Sequence, residues 1–277
     1  MKRQKKGAAS GRCFNRVMLV WLGITIFLLL FPIFAIILMS FNSSKYGALP
    51  FSFTLKWYVQ LFGSADLLSA TWYSLWFGVL VSTSAAVLGM TASLALRRLS
   101  RKWNKVFPTL MNVPVIIPWL VQAVALLLLF NLLGIGKSFS SLYLGCLVAV
   151  MPHSFLITYS RVMTMDRYPE EAGRTLGAAP LRIFWDITFP MVFPAVLSGW
   201  LMSFVLCFNC FTIQYYLAPF GTYTLPMLIY TMIRAGYSPD INAIATIMTV
   251  VIAIVIFIMN KAGFDAGQLV GQGHKEK

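Results

Sequence analysis

Six stretches of this chain are too long and too apolar to be parts of a water-soluble domain. They lie near 17–40, 70–96, 113–133, 139–165, 191–217 and 241–260. A helix needs about 20 residues to cross roughly 30 Å of hydrocarbon, and each stretch has that length. Hydrocarbon offers no water to the backbone, and the runs lack the alternation of barrel strands, so helix is the form they take. Composition agrees, with 59% of the 277 residues hydrophobic and only 11% charged, against about a quarter charged in soluble domains. The chain reads as an all-α membrane protein with six transmembrane helices. Its first stretch exceeds the roughly 7–15 apolar residues of a signal peptide and reads as a retained span.

The net charge of +14 would suggest nucleic acid on a soluble protein. Here the cations sit in loops and tails, so they report orientation in a membrane and contact with lipid headgroups instead. Lys2, Arg3, Lys5, Lys6, Arg12 and Arg16 precede the first stretch, and Arg97, Arg98, Arg101, Lys102 and Lys105 follow the second. Arg161 lies at the end of the fourth, Arg167, Arg174 and Arg182 follow it, and Lys261, Lys275 and Lys277 close the chain. The opposite loops hold only Lys45, Lys56, Lys137 and Arg234. Both termini and the loop around Glu171 are therefore expected in the cytoplasm.

Three features inside the stretches have bland and sharp readings. Cys207 and Cys210 have redox or metal spacing but lie in an apolar run, where cysteine is usually a small packing residue. Gly78, Ser82, Ala86 and Gly89 form a small-residue stripe, suited to close helix packing within the chain or to a subunit interface. Pro32, Pro114, Pro118, Pro152 and Pro194 are expected to bend or break their helices.

The loop after the fourth stretch carries the most information. Pro169 suits the first turn of a short helix over 168–175, and Glu170 and Glu171 suit the positive end of its dipole. Gly177 permits a turn. Leu181, Ile183, Phe184 and Ile187 give apolar faces to a second helix, and Pro190 opens the fifth stretch. Such a helix–turn–helix can dock in a partner's groove or merely anchor two spans at the interface.

Glu171-Ala172-Gly173, then Gly177, then Ile187-Thr188-Phe189-Pro190 resembles the coupling (EAA) loop of type I binding-protein-dependent ABC importer permeases. Gly173 stands where alanine is usual, and Phe189 where leucine is usual. The resemblance runs from about 68 to 260. Leu225-Pro226-Met227-Leu228-Ile229-Tyr230 and Ser238-Pro239-Asp240-Ile241-Asn242-Ala243-Ile244-Ala245-Thr246 resemble the spermidine/putrescine branch. It implies a MetI-like fold in the bacterial inner membrane. Segments 1–16 and 261–277 become cytoplasmic tails, 17–40 a first span, 41–67 an extracytoplasmic loop, and 68–260 a five-helix core with coupling loop 166–190.

The same resemblance implies a transport subunit and not an enzyme. Its partners are two ATPase subunits, a homologous second permease in a heteromeric pair, and an extracytoplasmic solute-binding protein. Glu171, Ala172, Gly173, Gly177, Ile187, Pro190, Arg174 and Arg182 become the ATPase-coupling residues. ATP and Mg belong to the ATPase; this chain has no phosphate-binding loop of its own, and its two histidines, His153 and His274, have no metal-site spacing.

Polar residues in the stretches are candidates for a solute path: Gln122, His153, Asn209, Thr212, Gln214, Tyr215 and Tyr216. Asn209, Thr212 and Tyr216 have the spacing of one helical face. All eight acids, Asp66, Asp166, Glu170, Glu171, Asp186, Asp240, Asp265 and Glu276, fall in loops, at span ends or in the tail. No carboxylate therefore falls near the midplane, which counts against a di- or tri-cationic solute. Tyrosine and amide groups can hold a cation through ring faces and carbonyl oxygens, and they equally suit a neutral or zwitterionic solute. The branch resemblance implies a polyamine or related amine or amino-acid-like compound. The alternatives are an ion-coupled secondary transporter, which commonly uses an intramembrane acid, or a channel.

Overall fold

The computed structural model describes residues 2–44, 51–100, 102–236 and 240–261. Lys45, Arg101, Ser238, Pro239, Asp265, His274, Lys275, Glu276 and Lys277 lie outside the described residues. Twelve helices are described: α1 Lys2–Ser40, α2 Lys56–Gly63, α3 Ala65–Arg98, α4 Trp103–Ile116, α5 Trp119–Leu132, α6 Phe139–Thr164, α7 Tyr168–Thr175, α8 Pro180–Ile183, α9 Phe189–Phe208, α10 Phe211–Leu217, α11 Leu225–Ala235 and α12 Asp240–Lys261. Helix α1 begins at Lys2, so the stretch expected as a tail over 1–16 is helical and runs on into the apolar run Met18–Ser40. The loop expected over 41–67 contains α2 and the first turn of α3.

The backbone divides into two compact units, Met1–Ser64 with Met232–Val255, and Ala65–Thr231 with Ile256–Lys277. In the first unit, the turn after α1 is closed by Trp57 Nε1, which donates to the Asn42 carbonyl at 2.7 Å. Phe41 stacks on Phe53 and on Tyr58 at 5.6 and 5.2 Å between ring centroids. The apolar run Met18–Ser40 of α1 is exposed almost throughout, a surface made for lipid or a membrane partner.

In the second unit, α6 runs between α3 and α9. Two glycines permit this contact. A Cβ on Gly89 of α3 would lie 2.9 Å from the backbone nitrogen of Phe155, and one on Gly199 of α9 would lie 3.0 Å from the Ser154 carbonyl oxygen. The stripe Gly78, Ser82, Ala86 and Gly89 is buried inside the chain. Its work is therefore intrachain packing, by close van der Waals approach where hydrophobicity gives no drive between helices. Cys146, Cys207 and Cys210 are all fully buried in the same core, and no cluster suited to a metal occurs among the described residues.

Among the described residues, four helices are long and apolar enough to cross a membrane: Met18–Ser40, Ala65–Arg98, Phe139–Thr164 and Pro180–Phe208. Of the six expected spans, with their prolines expected to bend or break helices, two are broken in the structure. The third stretch is not one helix, because α4 and α5 meet at a bend of 101°. The cause is Pro118, which forces Ile117 out of helical geometry to ψ 127°. Pro32, Pro114, Pro152 and Pro194 stay inside continuous helices. The fifth stretch ends at Phe208, and the chain breaks at Asn209 and Cys210 before α10. The face expected to unite Asn209, Thr212 and Tyr216 is thereby interrupted.

Candidate functional site

The hairpin between α6 and α9 folds much as its residues dictate. Pro169 opens α7, Glu170 and Glu171 occupy its first turn and Arg174 its last, each on the side that the helix dipole favours. Gly177 takes φ +77°, a conformation that costs a side-chain-bearing residue about 1 kcal/mol or more. Pro180 then starts α8, and a π-helical turn over Phe184–Thr188 joins it to α9 without a break. The π turn sets Ile183, Ile187 and Thr188 against α7.

The motif residues divide into two groups by what they touch. Gly173 is buried, and a Cβ there would meet Ile187 Cδ1 at 3.1 Å and Ile183 Cγ1 at 3.4 Å. Gly173 and Ile187 thus hold α7 against the turn that follows. We expect Gly173→Ala to be tolerated, since the flexible tip of Ile187 can shift by a few tenths of an ångström. Gly173→Leu should lift α7 and lower uptake at least tenfold while the chain remains in the membrane, a result read by uptake normalised to protein amount. Glu171, Ala172, Arg174, Gly177 and Pro190 are exposed. Leu176 and Leu181 beside them are 87% and 70% exposed, a large apolar display for a hairpin so polar elsewhere. Arg182 pairs with Asp186 at 3.2 Å on the surface, a contact of little energetic weight.

The strongest feature was not legible in the sequence. Arg97, at the end of α3, pairs with Glu170 at 2.9 Å, with side-chain exposures of only 8% and 15%. Thr188 donates to the same Glu170 oxygen at 2.8 Å. The second arm of Arg97 donates to the Met165 and Asp166 carbonyls, both at 3.3 Å, and Arg167 donates back to the Arg97 carbonyl at 3.1 Å. One carboxylate therefore joins α3, α7 and the π turn. Glu170 was visible only as a first-turn acid, and nothing local marks Arg97 or Thr188 as its partners. A groove of about 600 Å³ opens beside this clamp, lined by Arg97, Arg98, Arg167, Arg174, Glu170 and Glu171 with Pro180 and Phe184. Its balance of charge is positive.

The candidate path residues are scattered by the broken helices. Asn209 is exposed at the end of α9, and its amide donates to the Val205 carbonyl at 2.9 Å. Gln214 is 2% exposed. Its nitrogen donates at 2.7 Å to the Cys207 carbonyl at the break, which also accepts from the Cys210 amide at 3.2 Å, and its oxygen accepts from Thr224 at 2.6 Å. Gln214 thus bridges the break to Thr224, with one amide proton and one oxygen lone pair not used by these two bonds. Thr212 and Tyr216 are half-buried and Tyr215 is exposed. Phe211 and Tyr215 gather with Tyr230 of α11 at 4.6 and 5.7 Å, and Tyr216 meets Tyr215 edge to face at 5.8 Å. Gln122, buried on α5, and half-buried His153 on α6 each leave one side-chain atom, Oε1 and Nδ1, without a hydrogen bond.

Comparison with known proteins agrees with this architecture. Residues 85–262 match the family described as binding-protein-dependent transport system inner membrane component. The putrescine transport system permease protein PotI of Escherichia coli K12 is 32% identical over 269 residues, covering 95% of this chain and 92% of that protein. The spermidine/putrescine transport system permease protein PotC of the same strain is 34% identical over 225 residues, covering 81% and 85%. A chain of a bacterial ABC transporter involved in import of the acidic polysaccharide alginate shares the fold, with TM-score 0.71 at 18% identity, covering 91% of this chain and 97% of that one.

Proposed function

This chain belongs to the family of binding-protein-dependent transport system inner membrane components, and on that premise we propose that its Tyr168–Ile183 hairpin receives the stroke of a separate ATPase and that its solute is an amine. It is a multi-pass permease subunit of an ABC importer in the inner membrane, and not an enzyme. An ion-coupled transporter or a channel gives way to this membership.

The observation that carries the coupling reading is the two-sidedness of the hairpin. One side is clamped to α3 through Glu170 and Arg97. The other presents Glu171, Arg174, Leu176 and Leu181 to a partner. A rigid hairpin with an exposed apolar tip transmits a push; a loose one absorbs it. The assembly this reading entails is an ATPase subunit that binds ATP and Mg under each of two permease chains, a homologous second permease, and an external binding protein; the family description and the names of PotI and PotC support it. The positive-inside loops support a cytoplasmic position for the hairpin.

The solute we assign is of the polyamine or related amine and amino-acid-like class. The names of PotI and PotC support it, and so does the aromatic grouping of Phe211, Tyr215 and Tyr230, since ring faces attract ammonium groups. With Tyr216, Thr212, Asn209, Gln122 and His153, these residues make up this chain's share of the path.

The test is purification of the tagged chain from its native membranes in mild detergent, with identification of what accompanies it. Recovery of an ATPase subunit, lost on Glu171→Lys or Gly177→Asp, is the expected result. A chain that purifies alone, with transport indifferent to ATP, overturns the coupling reading.

A further inference from the structure

At the opposite end of α3 from the coupling clamp lies a second cavity, of about 460 Å³. The 34 residues of α3 put roughly 50 Å between its two ends. The cavity lies between the first turns of α3 and the turn Gly221–Tyr223 that leads into α11, and is lined by Asp66, Ser69, Tyr73, Thr222 and Tyr223 among others. No Lys or Arg lines it. The Asp66 carboxylate has no hydrogen bond or ion pair among the described residues. Ser69 donates its hydroxyl proton to the Asp66 carbonyl at 2.9 Å, so it offers the cavity an acceptor.

The walls are held in place. The Tyr73 ring is stacked on Phe77 at 5.9 Å and 6°. The turn that carries Tyr223 is fastened just beyond it: Thr224 donates to Gln214 Oε1 at 2.6 Å, and the Leu225 amide donates to Ser74 Oγ at 2.7 Å. Gly221, at φ +79°, lets the chain make the turn. A preformed site of this kind loses little entropy on binding.

We propose that this cavity is the first site at which the permease holds its solute, and that it binds the ammonium group of a short alkylamine. The proposal rests on the amine reading given above. A carboxylate without a partner gives an ammonium a charge-assisted hydrogen bond, and two phenol rings beside it add attraction for the same charge. An anion would meet the carboxylate with no cation to offset it. The volume lies toward the small end of the range for ligand pockets, about 300–1,000 Å³, which suits a chain of a few carbons.

The experiment uses the complete co-purified importer and putrescine as probe. Uptake by the wild-type importer with its binding protein, in proteoliposomes, comes first; failure to take up either putrescine or spermidine would overturn the amine reading itself. Equilibrium binding of radiolabelled putrescine to the same complex without its binding protein then tests the cavity. Asp66→Asn is expected to raise Kd about tenfold or more, the loss of one charge-assisted hydrogen bond. Asp66→Glu should stay within about threefold of wild type. An importer that moves putrescine but binds it equally well with Asp66→Asn overturns the proposal, as does Asp66→Glu binding as poorly as Asp66→Asn. Should Asp66→Asn fail to assemble, Tyr223→Leu decides: a raised Kd supports the site, and an unchanged Kd refutes it.

Discussion

Glu170→Ala should leave the permease in the membrane and abolish coupled uptake. The Glu170 carboxylate accepts from Arg97 at 2.9 Å and from Thr188 at 2.8 Å through one oxygen. Its removal strands a guanidinium that is nearly enclosed. Breaking a buried pair from one side costs roughly 3–5 kcal/mol, because the remaining charge keeps its desolvation penalty. That cost falls on one small region, where α7 and the π turn meet the end of α3, while the α3–α6–α9 core is untouched. The expected phenotype is therefore local. Uptake falls more than tenfold, and ATP hydrolysis by the assembled complex continues without transport. The measurement is solute moved per ATP hydrolysed, in proteoliposomes. Arg97→Gln should give the same phenotype although Arg97 lies outside the coupling loop. If Arg97→Gln transports normally while Glu170→Ala does not, Glu170 acts by touching the ATPase and the clamp has no role in coupling.

Gly89→Leu should prevent the second unit from packing at all. The nearest obstacles to a Cβ there are the backbone nitrogen and Cα of Phe155, at 2.9 and 3.1 Å. Backbone cannot step aside as a side-chain tip can, so α3 and α6 must separate over several turns. Overpacking typically costs about 1–3 kcal/mol when side chains can adjust, and this site allows less adjustment. The expected result is loss of monodisperse protein after detergent extraction, with membrane abundance down several-fold. Gly199→Leu, facing the Ser154 backbone, should behave alike. Gly23→Leu on α1, where a Cβ would meet nothing within 4 Å, serves as the control and should be near neutral. Normal abundance of Gly89→Leu would mean that the α3–α6 contact is looser than described.

Much of the hairpin after α6 was legible residue by residue. Pro169, the two acids after it and Gly177 specify a short helix and a turn, and the described helix is Tyr168–Thr175 with Gly177 at positive φ. These are local signals, carried by neighbours in the chain. The solute path was much less legible. A spacing of three and four implied one face for Asn209, Thr212 and Tyr216, but only if the helix ran on. It stops at Asn209 and Cys210, and the Cys207 carbonyl there is shared by the Cys210 amide and Gln214. No proline or glycine marks that break. Pro118 does mark the other one, yet four similar prolines sit in continuous helices, so proline alone did not tell which helix would fail.

By itself, the sequence determined that the chain is helical and membrane-spanning, where the Tyr168–Ile183 hairpin lies and which family it resembles. Hydropathy, helix-start residues and a short motif are properties of contiguous residues, and they survive whatever the rest of the chain does. Tertiary structure decided what the hairpin is fastened to, which glycines are contact points and where the cavities open. Arg97 and Glu170 are 73 residues apart, and Leu225 and Ser74 are 151 apart. Such pairs exist only once α3, α6 and α9 have packed, because burial removes the water that would otherwise satisfy each partner alone.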